Sequence, residues 1–466
     1  MRDLFGILFV GCLPILSAQS PVSRQPDSEF QLSPQAAYDQ ATRPLEITRR
    51  SPQNWSELEL SALKVAREQA KAACTARAPD QFAGQDLIAL AHLCAFAQEW
   101  QLARKAASNY LGAAFSGAPA ENLKGLGDLS IAFDYMIQGA LKTQDVDNAV
   151  LAVQDMLRKV PYDEFASEAT NSTIDYIRFI HTDRALALLS QRQPILLSLI
   201  KGHGSLGADS PGPAGGGAPV HPPLSLHALY ADAIAFPTME QFANQPKAAR
   251  ESYAELESAL PSSLTSEDAM YIGEKHRQYL LLGTHIPPLK PMGFLLFPGA
   301  AAPDRLNTWF ANATVFLLFP DWCNQCVTMG FNSEMKSRDL VSAHNVRFFP
   351  LLAQANPPER QNNSSLRNVP LATKTAKATL AQSQRLHVDQ QLSLKSTPDS
   401  RLEGTPTIVV PKETLDSFAA TDFPLVIATD HSGIVRWIQP AQDDALEPGG
   451  DIDQIIQHIL ATWPPD

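Results

Sequence analysis

Two cysteines with a spacing suited to disulfide exchange, Cys323 and Cys326, form the most chemically informative part of the sequence. They follow an apolar run at 315–319, long enough for a buried strand and too short for a helix, and precede a helix-compatible stretch at 327–343. Unpaired N–H groups and the macrodipole at a helix start favour a thiolate. We therefore predict that Cys323 attacks, that Cys326 resolves the mixed disulfide, and that Trp322 shields the reactive sulfur.

Zinc binding and a purely structural disulfide are the alternative roles for this cysteine pair. A structural zinc site would need two further ligands, and the sequence has neither a second C-x-x-C nor a closely spaced pair of histidines. The strand before the pair and the helix pattern after it favour redox chemistry over a structural bridge. The predicted site therefore uses the cysteine pair itself, with no metal and no other cofactor.

Length and composition limit the class of protein. With 466 residues, the chain is longer than a single hydrophobic core usually serves, so two or more domains are expected. Its formal net charge of -12 argues against nucleic acid as a partner. The 18% of charged and 44% of hydrophobic residues are typical of a folded, globular chain.

The N-terminus predicts export. Residues 1–18 combine a weakly basic start, an apolar run and a Leu-Ser-Ala ending that resembles a signal-peptidase site. Cys12 lies in a degenerate lipobox, but the leucine-rich run after it disfavours a lipoprotein anchor. We predict a periplasmic or secreted protein, in which disulfides persist. Under those conditions Cys74 and Cys94 form a structural disulfide, or else they remain two buried free thiols.

A helical region is predicted to precede the cysteine pair. Residues 19–50 lack a periodic apolar pattern and are predicted to be a linker, and 51–283 follow as an α-helical domain. Two segments resemble tetratricopeptide-type hairpins, with turns near Trp100 and Asp145. The equivalent alanines, Ala103 and Ala149, are 46 residues apart, against about 34 for true repeats. An irregular helical domain remains the alternative.

Residues 284–466 change to alternating strands and helices, which predicts an α/β domain with a sheet flanked by helices. A stretch at 355–403, rich in polar residues, is longer than normal connections and is predicted to be an insertion. After it come a strand at 407–410, a short helix ending at Phe418, Pro424, a strand at 425–427, an Asp430-x-x-Gly433 turn and a further strand.

This order, together with the strand–Trp–Cys-x-x-Cys unit, resembles the thioredoxin-like redoxins, especially extracytoplasmic oxidoreductases of the TlpA/ResA type. The resemblance implies that Pro424 is a cis-proline facing the cysteines, and that Phe423 offers backbone groups to a client. Pro406 also precedes a strand and is the rival for that role. Protein thiols or disulfides would be the substrates, with a membrane or periplasmic redox partner.

The sequence departs from this family at several positions. The residues between the cysteines are two amides, Asn324 and Gln325, and Leu317 stands where thioredoxins have a buried acid. Two hypotheses therefore remain open. The first is an exported thiol–disulfide oxidoreductase whose helical domain docks clients or partners, and the second is a non-catalytic binding or scaffold protein with a degenerate thioredoxin-like domain.

Overall fold

The computed structural model describes residues 32–50, 56–117, 126–203, 224–295, 311–323, 326, 344–354, 407–441 and 451–465. Several predicted features lie outside these ranges: the signal peptide, Cys12, the helix at 327–343, the insertion at 355–403 and Pro406.

The described N-terminal part consists of helices. These are α1 (Pro34–Arg50), α2 (Ser56–Thr75), α3 (Gln85–Phe96), α4 (Trp100–Gly117), α5 (Leu126–Lys142), α6 (Val146–Lys159), α7 (Glu164–Ile177), α8 (Thr182–His203), α9 (Leu226–Phe242), α10 (Pro246–Ala259) and α11 (Ser266–Leu281). The C-terminal part contains β1 (Gly293–Leu295), β2 (Ala313–Pro320), β3 (Val346–Gln354), β4 (Thr407–Pro411), α12 (Glu413–Ser417), β5 (Leu425–Asp430), β6 (Val435–Pro440) and α13 (Asp451–Thr462).

Both predicted helical hairpins are present, as α3–α4 and α5–α6. The second turn ends at Asp145, whose carboxylate caps α6 by accepting a hydrogen bond from the backbone N–H of Asn148. Helix α5 approaches α4 closely at Gly139, where a Cβ would stand 2.8 Å from the Cβ of Arg104. A glycine is therefore required at this contact. The assignment of α3–α4 and α5–α6 as tetratricopeptide-like hairpins stays a prediction.

The predicted linker at 19–50 is wrong from Pro34 onward, because Pro34–Arg50 forms α1. Ala37, Ala41 and Leu45 recur every four residues and are buried, and the two alanines pack with α2 and α3. Small residues separated by polar ones give a weak periodic signal, which explains why the sequence pattern suggested a linker. The helical part therefore begins before residue 51.

Helices α8 and α9 of the N-terminal part each contain a proline. Helix α8 continues through Pro194, and α9 continues through Pro237. A proline removes one helical hydrogen bond, but tertiary packing outweighs that cost when the flanking turns are buried. Leu188, Leu189, Leu196 and Ile200 are buried around Pro194, and Pro237 is itself buried.

The C-terminal part is built on a mixed six-stranded sheet with the order β1-β4-β3-β2-β5-β6. Strand β2 is central and pairs in parallel with β3 and antiparallel with β5. All eight residues of β2 are buried, as expected for a strand covered on both faces. The fold is thus a helical N-terminal part joined to an α/β part with a mixed sheet.

Residues from the helical part cover both faces of this sheet. On one face, Phe179 and Phe242 pack edge to face against Trp437 of β6, each with ring centroids 5.0 Å apart. On the other face, Tyr253 and Tyr279 belong to the same apolar cluster as Phe316, Leu318, Leu425 and Ile427. The two parts therefore share a hydrophobic core.

The predicted boundary between residues 283 and 284 lies in a segment that is bonded to the sheet. The N–H of Gly283 donates to the carbonyl of Val435 at 2.8 Å, and the N–H of Ile286 donates to the carbonyl of Gly433 at 2.9 Å. The N–H of Val435 donates in return to the carbonyl of Thr284 at 2.8 Å. This connection lies along the start of β6, and the domain division itself stays a prediction.

Candidate functional site

The cysteine pair lies just beyond the end of the central strand β2. The N–H of Asp321 donates to the carbonyl of Ala353 at 2.9 Å, which continues the pairing with β3. The chain then turns, and the N–H of Cys323 donates to the carbonyl of Pro320 at 3.1 Å. Active-site groups placed at the carboxyl ends of strands are held by a rigid sheet on one side and face solvent on the other.

The two sulfurs of Cys323 and Cys326 are joined in a disulfide, with Cα atoms 5.3 Å apart. Cys326 is 1% exposed, whereas Cys323 is partly exposed. The backbone N–H of Cys326 points to Sγ of Cys323 at 3.3 Å. Such a donor stabilises negative charge on that sulfur, so Cys323 is the better placed of the two to carry a thiolate.

The loop that precedes β5 brings Phe423 and Pro424 to the same end of the sheet. Because Leu318 is paired with Leu425, Pro424 lies beside the last residues of β2. The Phe423 ring meets the Trp322 ring edge to face, with centroids 5.9 Å apart. The structure thus brings together the five predicted residues of the site: Cys323, Cys326, Trp322, Phe423 and Pro424.

The backbone around Pro424 is well defined. The Phe423–Pro424 peptide bond is cis. The carbonyl of Pro424 accepts a 2.7 Å hydrogen bond from the N–H of Ala441, just after β6. Pro424 itself is buried, and Phe423 is partly buried. This proline is therefore fixed between the sheet and the loop that carries Phe423.

Leu317 points into the apolar core, in the same cluster as Val315, Phe319 and Cys326. The side chain under the cysteine pair at this position is therefore apolar rather than acidic. A carboxylate here would accept a proton from the resolving thiol in an exchange reaction. Leu317 offers no such group, so an exchange reaction at this site would depend on solvent or another group for proton transfer.

Cys74 and Cys94 are separate from this site. They form a disulfide between the last turns of α2 and α3, with Cα atoms 5.2 Å apart. Both residues are fully buried. A buried bridge between two helices stabilises the fold and is shielded from attack by an external thiolate.

Sequence analysis did not suggest two residues of α11 that contact the Phe423 loop. Nε2 of Gln278 donates to the carbonyl of Ala419 at 2.8 Å, and Nζ of Lys275 lies 3.6 Å from the Asp422 carboxylate. Neither residue belongs to a motif, and the contacts span more than a hundred residues of sequence. No pattern in the sequence could have indicated them.

Comparisons of the chain with known protein families, with curated proteins and with solved structures found no match in any of the three. In the described ranges, no three His, Cys, Asp or Glu side chains are grouped so as to hold a metal ion. The helices described also include none that is both long and apolar enough to cross a membrane.

Proposed function

We propose that the protein is a thiol–disulfide oxidoreductase that uses Cys323 and Cys326 for exchange with protein clients. The observation that carries the proposal is the asymmetry of the pair. Cys323 is partly exposed and receives the N–H of Cys326, while Cys326 is buried beneath it. An attacking thiol needs access and a stabilised thiolate, and a resolving thiol needs proximity alone.

The exchange proceeds in two balanced steps. Starting from the disulfide, a client thiolate attacks Sγ of Cys323, forms a mixed disulfide and releases Cys326 as a thiolate. A second client thiolate then attacks the client sulfur of the mixed disulfide and releases Cys323. The client dithiol is oxidised by two electrons, the pair is reduced by two electrons, and two protons pass to the new thiols. The reverse sequence reduces a client disulfide, and a dithiol or disulfide redox partner restores the pair.

The order of elements around the site supports a thioredoxin-like assignment for the C-terminal part. The cysteine pair follows the central strand β2. Pro424, with its cis peptide bond, lies beside the end of β2 at the start of the antiparallel strand β5. In this proposal Trp322 and Phe423 contact the client, the pair needs no cofactor, and the helical part docks clients or partners. Export to the periplasm or outside the cell belongs to the proposal, because it keeps Cys74–Cys94 oxidised.

A non-catalytic binding or scaffold protein is the second candidate, and Leu317 favours it. An apolar residue beneath the pair leaves the exchange without a nearby proton acceptor at that position. The two candidates differ in one measurable property. An oxidoreductase exchanges its Cys323–Cys326 disulfide rapidly with external thiols, whereas a scaffold protein keeps the disulfide inert.

The test is to trap the mixed disulfide. Cys326→Ser should accumulate adducts with a reduced, thiol-bearing test protein under mild oxidation, and Cys323→Ser should not, because its remaining sulfur is buried. The double variant is the matched control for adducts at other cysteines. Adducts in Cys323→Ser alone would reverse the roles, and adducts in neither variant would favour the scaffold protein.

A further inference from the structure

Helix α11 touches the loop that carries the client-contacting residue Phe423. The amide of Gln278 donates to the carbonyl of Ala419 at 2.8 Å, and Gln278 is 6% exposed. Ala419 has a positive φ of 46°, so this carbonyl lies where the chain reverses after α12. A buried carbonyl at a chain reversal needs a donor, and here the helical part supplies it.

A second contact lies on the same face of α11, close to one helical turn earlier. Nζ of Lys275 lies 3.6 Å from the carboxylate of Asp422, directly before Phe423. The Lys275 side chain is only 16% exposed, and its ammonium lies 5.5 Å from the ring centroid of Tyr271. The aliphatic chain of Lys275 is therefore packed, and its charge is directed at the loop.

We infer that Gln278 and Lys275 are positioning residues that hold the 419–422 loop, so that α11 sets the position of Phe423 beside Trp322 and Cys323. The inference rests on the proposed function for its catalytic consequence. It assigns the helical part a direct role in client specificity. Neither residue touches the sulfurs, and both act through the loop.

The inference predicts a split between two kinds of substrate. A protein disulfide must contact Phe423 and its loop, whereas a small aromatic disulfide needs only access to Cys323. In Gln278→Met and Lys275→Met, we expect KM for the protein disulfide to rise about 3- to 10-fold with kcat nearly unchanged. The rate with the small disulfide and the redox equilibrium of the pair with glutathione should stay as in the unaltered protein.

Conservative and control variants sharpen this test. In Lys275→Arg, KM for the protein disulfide should stay close to the value of the unaltered protein, because this variant keeps a cation near Asp422. Asp422→Asn combined with Lys275→Met should cost little more than Lys275→Met alone, since the two residues act as a pair. Lys247→Met is the matched control, because Lys247 belongs to a pair with Glu251 that is largely exposed on α10. Equal losses with both substrates would overturn the inference.

An experiment without turnover keeps the inference separate from the proposed function. Amide hydrogen exchange over residues 415–425 includes the N–H of Ala420, which donates to the carbonyl of Leu415 at 2.9 Å. Gln278→Met should accelerate this exchange, and Lys247→Met should not. Unchanged exchange in Gln278→Met would overturn the inference even in an active enzyme. Absence of thiol exchange in the unaltered protein would instead overturn the proposed function.

Discussion

Arg178, at the end of α7, and Asp451, at the start of α13, form a 2.5 Å ion pair between the helical part and the α/β part. The guanidinium also lies over the ring of Phe179, 4.7 Å from its centroid, and 5.7 Å from the centroid of Trp437. Arg178 is buried, and its guanidinium forms a second ion pair with Asp175 at 2.9 Å. This arginine thus joins two helices and an aromatic cluster at the interface of the two parts.

Arg178→Met should lower the free energy of unfolding by about 3 kcal/mol or more, because it leaves the partly buried carboxylate of Asp451 without its cation. Arg184→Met is the matched control. Its ion pair with Asp147 lies at the surface, with the arginine and aspartate side chains 43% and 77% exposed, so the loss should be within about 1 kcal/mol. Urea denaturation of both variants measures the difference. Equal losses would mean that the Arg178 pair contributes no more than a surface contact.

A fragment of residues 285–466 should not fold into a stable, soluble unit. It would lack Phe179 and Phe242, which cover Trp437 on one sheet face, and Tyr253 and Tyr279, which belong to the cluster on the other face. Large exposed apolar patches lead to aggregation. Size-exclusion chromatography and near-ultraviolet circular dichroism of the fragment test this. A monomeric fragment with native-like aromatic signals would show that the sheet is stable without its helical cover.

Trp322→Ala should slow exchange with a protein client about 5-fold, since the edge-to-face contact with Phe423 contributes about 1 kcal/mol. Trp322→Phe keeps an aromatic ring and should recover most of the rate. The rates are measured by stopped-flow with a reduced protein substrate. Because Trp322 is 38% exposed, neither variant should change the unfolding free energy greatly. A similar slowing in both variants would argue that the size of the indole matters, rather than ring contact.

Replacing Cys74 and Cys94 by serine should cost about 3 kcal/mol of stability, as expected for a bridge closing a loop of sequence separation 20. The variant should keep its thiol-exchange activity, because Cys74 and Cys94 belong to a different apolar cluster from Cys323 and Cys326. Thermal unfolding and exchange rate are measured on the same samples. Loss of activity with little loss of stability would link this bridge to the redox site.

Asp134 on α5 should make stability depend on pH. Burial first and then the charge of Glu168 raise its pKa, against the opposing effect of a hydrogen bond with Gln138, to about 7. An unfolded aspartate titrates near 3.9, so the folded state binds this proton more tightly. The resulting stabilisation is complete below about pH 4 and is lost as the pH rises through about 7.

In the unaltered protein, the free energy of unfolding should fall by about 2–3 kcal/mol between about pH 5 and about pH 8 because of Asp134. This fall should be absent in Asp134→Asn. Glu168→Gln should lower the pKa of Asp134, so that the loss of stability ends at a lower pH and is smaller in total. Urea denaturation at several pH values gives the slope of the unfolding free energy against pH for each variant and for the unaltered protein. The same slope in the unaltered protein and in Asp134→Asn would show that this carboxyl does not titrate in that range.

The strands were the most predictable part of the fold. The apolar run at 315–319 lies within β2, and the predicted strands at 407–410 and 425–427 lie within β4 and β5. Continuous β-branched and aromatic residues bounded by polar ones are a strong local signal. Helix α13 carries an equally local signal, because its buried isoleucines recur at helical spacing.

Long-range packing could not be predicted. Phe179, Phe242 and Trp437 are isolated aromatic residues in three distant segments, and no periodic pattern connects them. The candidate site could be predicted from the sequence only in part. Cysteine spacing and strand order indicated Cys323, Cys326 and Pro424, whereas Gln278 and Lys275 became visible only through contacts with the loop before Pro424.

The hydrogen bonds that join Gly283, Thr284 and Ile286 to the start of β6 have a mechanical consequence. Where such a connection is a free linker, two lobes swing as rigid bodies about it. Here a rotation of one part against the other would first have to break backbone hydrogen bonds with β6. The connection is therefore a rigid joint and not a hinge. This connection would make the helices and the cysteine pair move together, so that under the proposed function a large client would have to adapt its own shape to reach Cys323.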